Sequence, residues 1–287
     1  MTDCAKQPRK AKTLCLLTLL TLIALSLSTL SFAEESENRF IVGLGLGYES
    51  AIYQGVDGYA YPAPLFDIRW GRFFVYGMRE GSEGVMAGVQ VFETENTSLS
   101  LMINQGTTFL DIDDVSDESA DLFTSLEDRK AAIEYGFRYL YNSPVGRITW
   151  DYYKDFGSAY DGMRNTLRIA RTIGRPDRLQ FRASLYVDYF STAFNDYYYG
   201  ITAEENEEAA LELDLPLNVF EEQFRPQWDG QNSGHLGIDL KVEKPYSENL
   251  IGTFYFALEE VLGEVYRSAI VEDKERFYGA IGVLYKF

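Results

Sequence analysis

From about residue 39 to the C-terminus the chain repeats with a period of two. Phe277, Gly279, Ile281, Val283, Tyr285 and Phe287 share one parity, with Tyr278, Ala280, Gly282, Leu284 and Lys286 on the other. Leu236, Ile238, Leu240 and Val242 alternate with His235, Gly237, Asp239, Lys241 and Glu243. Phe40, Val42, Leu44, Leu46 and Tyr48 alternate with Gly43, Gly45 and Gly47. A period of two places one apolar row on one face of an extended strand. Twelve such segments are predicted, at about 40–49, 63–70, 72–78, 84–93, 97–108, 129–141, 147–155, 163–173, 178–190, 235–243, 250–259 and 276–287. The longest uncharged run in this part of the chain, 96–110, has 15 residues and is rich in Ser, Thr, Asn and Gln. It falls short of the ~20 residues of a membrane helix.

An apolar strand face can pack on a second sheet, as in a soluble sandwich, or face lipid around a polar lumen. The connections separate the two. Gly71 alone, 94–96, 142–146, 174–177 and 244–249 are short, and they alternate with the mostly longer 50–62, 79–83, 109–128, 156–162, 191–234 and 260–275. A sandwich has no reason to sort its loops in this way. An outer-membrane barrel has short periplasmic turns and long extracellular loops. The fold expected is therefore all-β: a transmembrane, antiparallel, up-and-down barrel of about 12 strands with both termini periplasmic.

Residues 1–33 read as a secretory signal peptide. Lys6, Arg9, Lys10 and Lys12 precede the apolar stretch 14–30, and Ser31-Phe32-Ala33 supplies a cleavage site before Glu34. Residues 34–287 are then the barrel, placed in the outer membrane of a Gram-negative cell. From totals of 26 basic and 44 acidic residues, cleavage removes four and one, which leaves a net charge of −21. That balance excludes nucleic acid as a partner, because no basic face could neutralise phosphates. Both cysteines, Cys4 and Cys15, lie in the removed part, so no disulfide staples the remainder. The 42 aromatic residues that remain suit two interfacial girdles and a filled lumen.

Val283, Tyr285 and Phe287 share the outward parity of the last segment and resemble the signal read by the barrel-assembly machinery. Other motifs point to one family. Tyr53-Gln54-Gly55-Val56-Asp57-Gly58-Tyr59, then Pro62-Ala63-Pro64-Leu65, then Gly71-Arg72-Phe73-Phe74 resemble the N-terminal signature of the MipA/OmpV family. Tyr198-Tyr199-Gly200-Ile201, Ser268-Ala269-Ile270-Val271-Glu272-Asp273 and the closing Tyr285-Lys286-Phe287 fit the same pattern, and the resemblance covers residues 39–287. It implies an outer-membrane protein without established catalytic residues. The family's namesake is a scaffold joining a lytic transglycosylase to a peptidoglycan synthase, and other members are described as porin-like or adhesive.

Three groups of residues could carry chemistry. His235 is the sole histidine, and its parity places it on the lumen face near the outer rim. It reads as a hydrogen-bonded rim residue, and no nucleophile is identifiable beside it by spacing, which leaves a barrel hydrolase as the remotest reading. Asp111, Asp113, Asp114, Asp117, Glu118 and Asp121 crowd one outer loop, and Glu204, Glu205, Glu207, Glu208 and Glu212 another, with 203–213 a candidate acidic helix. Without calcium-loop spacing they read as solvated faces, although divalent bridging to lipopolysaccharide phosphates is the alternative. Inward parity places Asp67, Arg69, Glu134, Arg138, Arg147, Asp151, Arg164, Arg168, Arg182, Asp188, Asp239, Lys241 and Glu243 in the lumen. Unpaired charge is costly there, so these are expected to pair across strands. Either they fill the barrel, or they line a narrow pore that Arg147, Arg164, Arg168, Arg178 and Arg182 bias toward anions. The leading reading is a non-enzymatic scaffold of the cell envelope without cofactor or metal, surrounded by outer-membrane lipid and lipopolysaccharide. A narrow channel or surface adhesin is the alternative.

Overall fold

The computed structural model describes residues 38–77, 84–106, 110–116, 118–157 and 159–287. The expected signal peptide over residues 1–33, its cleavage after Ala33, and Asp117 of the acidic loop lie outside the described residues.

Twelve antiparallel strands close into one barrel: β1 Arg39–Glu49, β2 Tyr59–Trp70, β3 Phe73–Gly77, β4 Val85–Glu93, β5 Thr97–Gln105, β6 Ile133–Ser143, β7 Gly146–Asp155, β8 Met163–Gly174, β9 Gln180–Phe190, β10 Ser233–Pro245, β11 Leu250–Leu262 and β12 Glu275–Lys286. Each strand pairs with its sequence neighbours, and β12 returns to β1 with Leu44 opposite Val283 and Gly45 opposite Gly282. Closure matters because hydrocarbon offers backbone groups no partner, so an open sheet edge would leave a row of unsatisfied N–H and C=O groups. The seam depends on a residue without a side chain. A Cβ on Gly282 would lie 2.6 Å from Leu65 Cδ1, so glycine lets Leu65 fill the lumen there.

The alternation turns apolar rows outward, so Leu44 is 66% and Ile281 63% exposed on the surface that lipid covers. Val283, Tyr285 and Phe287 lie on that surface. Strands run beyond the segments read from the sequence where composition hid them. β2 begins at Tyr59, and Pro62 and Pro64 stand within it, paired to Leu46 and Leu44. Two prolines of one parity lose their donors on one edge, and the described β3 ladder only begins opposite Phe66, so the β1 ladder survives. β6 instead starts late, at Ile133, because Arg129 is drawn off to bridge Leu110.

The two ends of the barrel differ. One end carries tight turns, such as Gly71-Arg72, where Gly71 adopts φ +56°, a conformation that suits glycine. This end faces the periplasm in an outer-membrane barrel. At the other end the long connections fold into a cap. The loop 191–232 contributes three helices, Thr192–Tyr199, Ala203–Glu212 and Leu217–Gln223. The middle one is the acidic helix expected near 203–213, and it starts with a capping box: Thr202 Oγ1 accepts from the Glu205 N–H, and the Glu205 side chain accepts from the Thr202 N–H. The main apolar core lies here rather than in the lumen. Tyr53, Phe123, Tyr160, Phe194, Tyr198, Tyr199, Ile201, Val265 and Ile270 are buried together. Arg225 pins the layer. Its guanidinium donates to Leu122 O at 2.5 Å, Thr124 O at 2.8 Å and Asn206 Oδ1 at 2.9 Å.

Candidate functional site

The lumen is where the barrel places its polar chemistry. Inward-facing charges on neighbouring strands meet at the same height because the register sets them opposite each other. Arg138 on β6 stands opposite Asp151 on β7 and holds it with two hydrogen bonds of 2.7 and 2.8 Å. Arg164 on β8 reaches across to Glu134 on β6 at 2.7 and 2.8 Å. Glu134 also accepts from Asn104 Nδ2 at 3.0 Å and from the Tyr160 hydroxyl at 2.6 Å. The carboxylate thus has donors on several sides, the arrangement that makes a buried ion pair tolerable.

The other lumen charges find partners across strands, within one strand or at the rim. Asp67 pairs with Arg39 at 2.5 Å, and Arg69 donates to the Tyr76 hydroxyl at 2.9 Å. Arg168 pairs with Asp239, which also accepts from Ser184 Oγ at 2.9 Å, and the Arg168 guanidinium lies over the Tyr186 ring. Lys241 Nζ is 3.0 Å from Glu243. Asp188 Oδ1 accepts from Thr166 Oγ1 at 2.5 Å. Arg147 lies exposed at the rim and donates to Asn142. Arg182 lies on the wall of the cavity described next.

That cavity, of about 500 Å³, runs from the periplasmic turns up the lumen toward the outer ends of the strands. Asn142, Pro144 and Gly146 of one turn edge it, Arg138, Arg168 and Arg182 line its wall, and Asp188 and Glu259 lie at its depth. A neighbouring space of about 290 Å³ shares Arg138 and Arg147 and extends to Arg39, Asp67 and Arg69. Above the cavity the outer end is covered by the cap.

The structure also groups residues that spacing could not. Asp188 on β9, His235 on β10 and Glu259 on β11 are all buried, and one ligand-type atom from each lies within 4.8 Å of the others. Phe190 packs edge-on to the imidazole, 4.8 Å between centroids. Glu259 stands with Glu260 at the end of an apolar run, and only the strand register shows it near His235. Its one sequence signal is its inward parity, shared with Tyr255 and Ala257.

In the cap, burial sets the charge states. Burial opposes ionisation of Glu205, but the Thr202 backbone N–H and Arg129 at 2.6 Å outweigh it and hold the carboxyl below its usual range. Burial lowers Arg225 to about 10, against the pull of the Glu205 carboxylate. Burial, and then the Glu134 carboxylate, push the Tyr160 hydroxyl far up, so it stays a donor.

Comparison with known proteins identifies the family through its family model. A 24 kDa outer membrane protein of Pasteurella multocida (strain Pm70) is 26% identical over 277 residues, covering 93% of this chain and 96% of that one. Among solved structures, an outer-membrane channel from Pseudomonas putida F1 aligns over 90% of this chain and 98% of its own, at TM-score 0.37 and 8% identity. An anion-selective porin from Comamonas acidovorans aligns over 88% and 99%, at TM-score 0.36 and 9% identity. The family model described as MltA-interacting protein MipA matches residues 42–287. The chain is an outer-membrane β-barrel and belongs to the MipA family.

Proposed function

We propose that this barrel is a non-enzymatic scaffold that offers its periplasmic end to a peptidoglycan-remodelling enzyme. The observation that carries this reading is the asymmetry of the molecule: a packed cap over the outer end, ion pairs across the lumen, and a cavity at the turn end. A packed cap over the outer end opposes free diffusion through the lumen. The family name supplies the partner class, since MltA is a lytic transglycosylase. His235 supports no lipid hydrolase, because it lies buried in the lumen rather than on the lipid face.

The periplasmic turns are small, and no single one could bury the roughly 800 Å² per partner of a standard interface. Several turns therefore act together, with weak or multivalent binding. In pull-downs with a purified lytic transglycosylase, joint replacement of turns 142–146 and 244–249 weakens capture, whereas deletion of 203–213 leaves it intact. The opposite pattern rejects a periplasmic scaffold and favours an adhesin. A narrow anion channel is the second reading, favoured by the arginines on the cavity wall. It takes the lead if the protein conducts and Arg168→Glu alters the selectivity.

A further inference from the structure

We propose that Asp188, His235 and Glu259 form a divalent transition-metal site, with zinc as the ion, at the closed end of the periplasm-facing cavity. The proposal is independent of the scaffold reading and rests on four observations.

The first is position. β9, β10 and β11 are adjacent strands, His235 stands directly opposite Asp188, and Glu259 stands opposite Gly237, two residues along the same face. Three side chains from three neighbouring strands therefore converge on one point. All three are at most 5% exposed. A site built on a barrel wall is held more rigidly than one built on a loop.

The second is chemistry. One imidazole and two carboxylates are a donor set that suits zinc, with three protein ligands and at least one open position. Tetrahedral ligands about 2.1 Å from the ion lie about 3.4 Å apart. Glu259 Oε2 and His235 Nδ1 are already 3.6 Å apart, and the wider spacings need side-chain shifts of about an ångström.

The third is the outer shell. Thr166 donates to one oxygen of Asp188 at 2.5 Å, and Tyr186 donates to Oε1 of Glu259 at 2.7 Å, joined by Tyr278 at 3.3 Å. Each carboxylate thus has one oxygen tethered by a hydroxyl, and Oε2 of Glu259 faces the imidazole. Such tethering of ligand carboxylates is what orients them in protein metal sites. Arg276 lies 3.9 Å from Glu259 while also pairing with Glu49, so one guanidinium serves two carboxylates.

The fourth is access. Asp188 and Glu259 line the wall of the 500 Å³ cavity, so an ion reaches them from the periplasm past Arg138, Arg168 and Arg182, and its open position faces the cavity. The competing arrangement is a protonated His235 bridging the two carboxylates, which would take up no metal.

The test uses the full barrel, folded in detergent, stripped with EDTA and titrated with zinc chloride while bound metal is measured directly. We expect one equivalent of tight zinc, binding at least tenfold weaker in both Asp188→Asn and His235→Gln. Tyr186→Phe, which leaves all three ligands in place, should weaken binding roughly 10–100-fold through loss of its tether. Heat-dependent gel mobility of each variant separates loss of the site from loss of the barrel. Absence of zinc uptake by the wild type overturns the proposal. So does uptake that is unchanged in Asp188→Asn and His235→Gln, which would place the ion on the acidic loops instead.

Discussion

Arg164 and Glu134 illustrate the cost of charge inside this barrel. With Glu134 at 1% exposure, deleting one partner leaves a buried ion uncompensated. Arg164→Ala should therefore cost about 3–5 kcal/mol in urea unfolding from lipid vesicles. Adding Glu134→Ala should recover part of that loss, and strictly additive losses would mean that the pair is not coupled. On the outer surface, Val283→Arg places a charge in lipid and should cost about 2–4 kcal/mol if it sits near the midplane. Equal assembly of that variant and wild type would reverse the assignment of faces. Glu205 gives the cap an acid dependence. Its folded pKa lies below its ordinary value, so it stabilises the fold above that ordinary value, and the contribution is lost as pH falls through the folded one. Trp228, which bridges Ile201 in the cap, reports this as a fluorescence change on acidification below about pH 4.5, blunted in Glu205→Gln.

Elements were legible where one physical signal dominated. Strands β8, β9 and β10 stand out because apolar and polar residues alternate almost without interruption, and the turns stand out through Gly71, Pro144 and Pro176. The first part of β2 fell in the expected connection 50–62 because Pro62 cannot donate to a ladder, although an edge with little described pairing tolerates it. The cap was the larger gap. Phe194, Tyr198 and Tyr199 fall in the expected outer loop 191–234, for which the sequence suggested no packed core, yet they lie in a short helix and belong to a buried apolar layer. Aromatic content alone cannot distinguish a lipid interface from a packed plug. The acidic helix was legible by composition, and its capping box makes a local prediction. Thr202→Ala should destabilise the cap by about 1 kcal/mol, read as faster proteolysis within 191–232 while the strands stay resistant. Unchanged proteolysis would mean that the helix is held by Arg225 and Phe220 packing alone.

At the scale of the molecule, inward parity was readable and placed opposite charges in one lumen, but partner identity depends on register. Arg138 with Asp151 follows from adjacent strands, whereas Arg164 with Glu134 crosses β7, and Asp188, His235 and Glu259 meet only once three strands are aligned. A net charge of −18 for the full chain says nothing of the arginines that line the lumen cavity. The account as a whole is that of a barrel closed at its outer end and working from its periplasmic side. Its most direct test is single-channel recording in planar bilayers. Wild type is compared with a variant in which residues 192–232 are replaced by a short glycine–serine connection. The account predicts no stable conductance from wild type and discrete openings once the cap is removed. Stable wild-type conductance equal to that of the capless variant would contradict it.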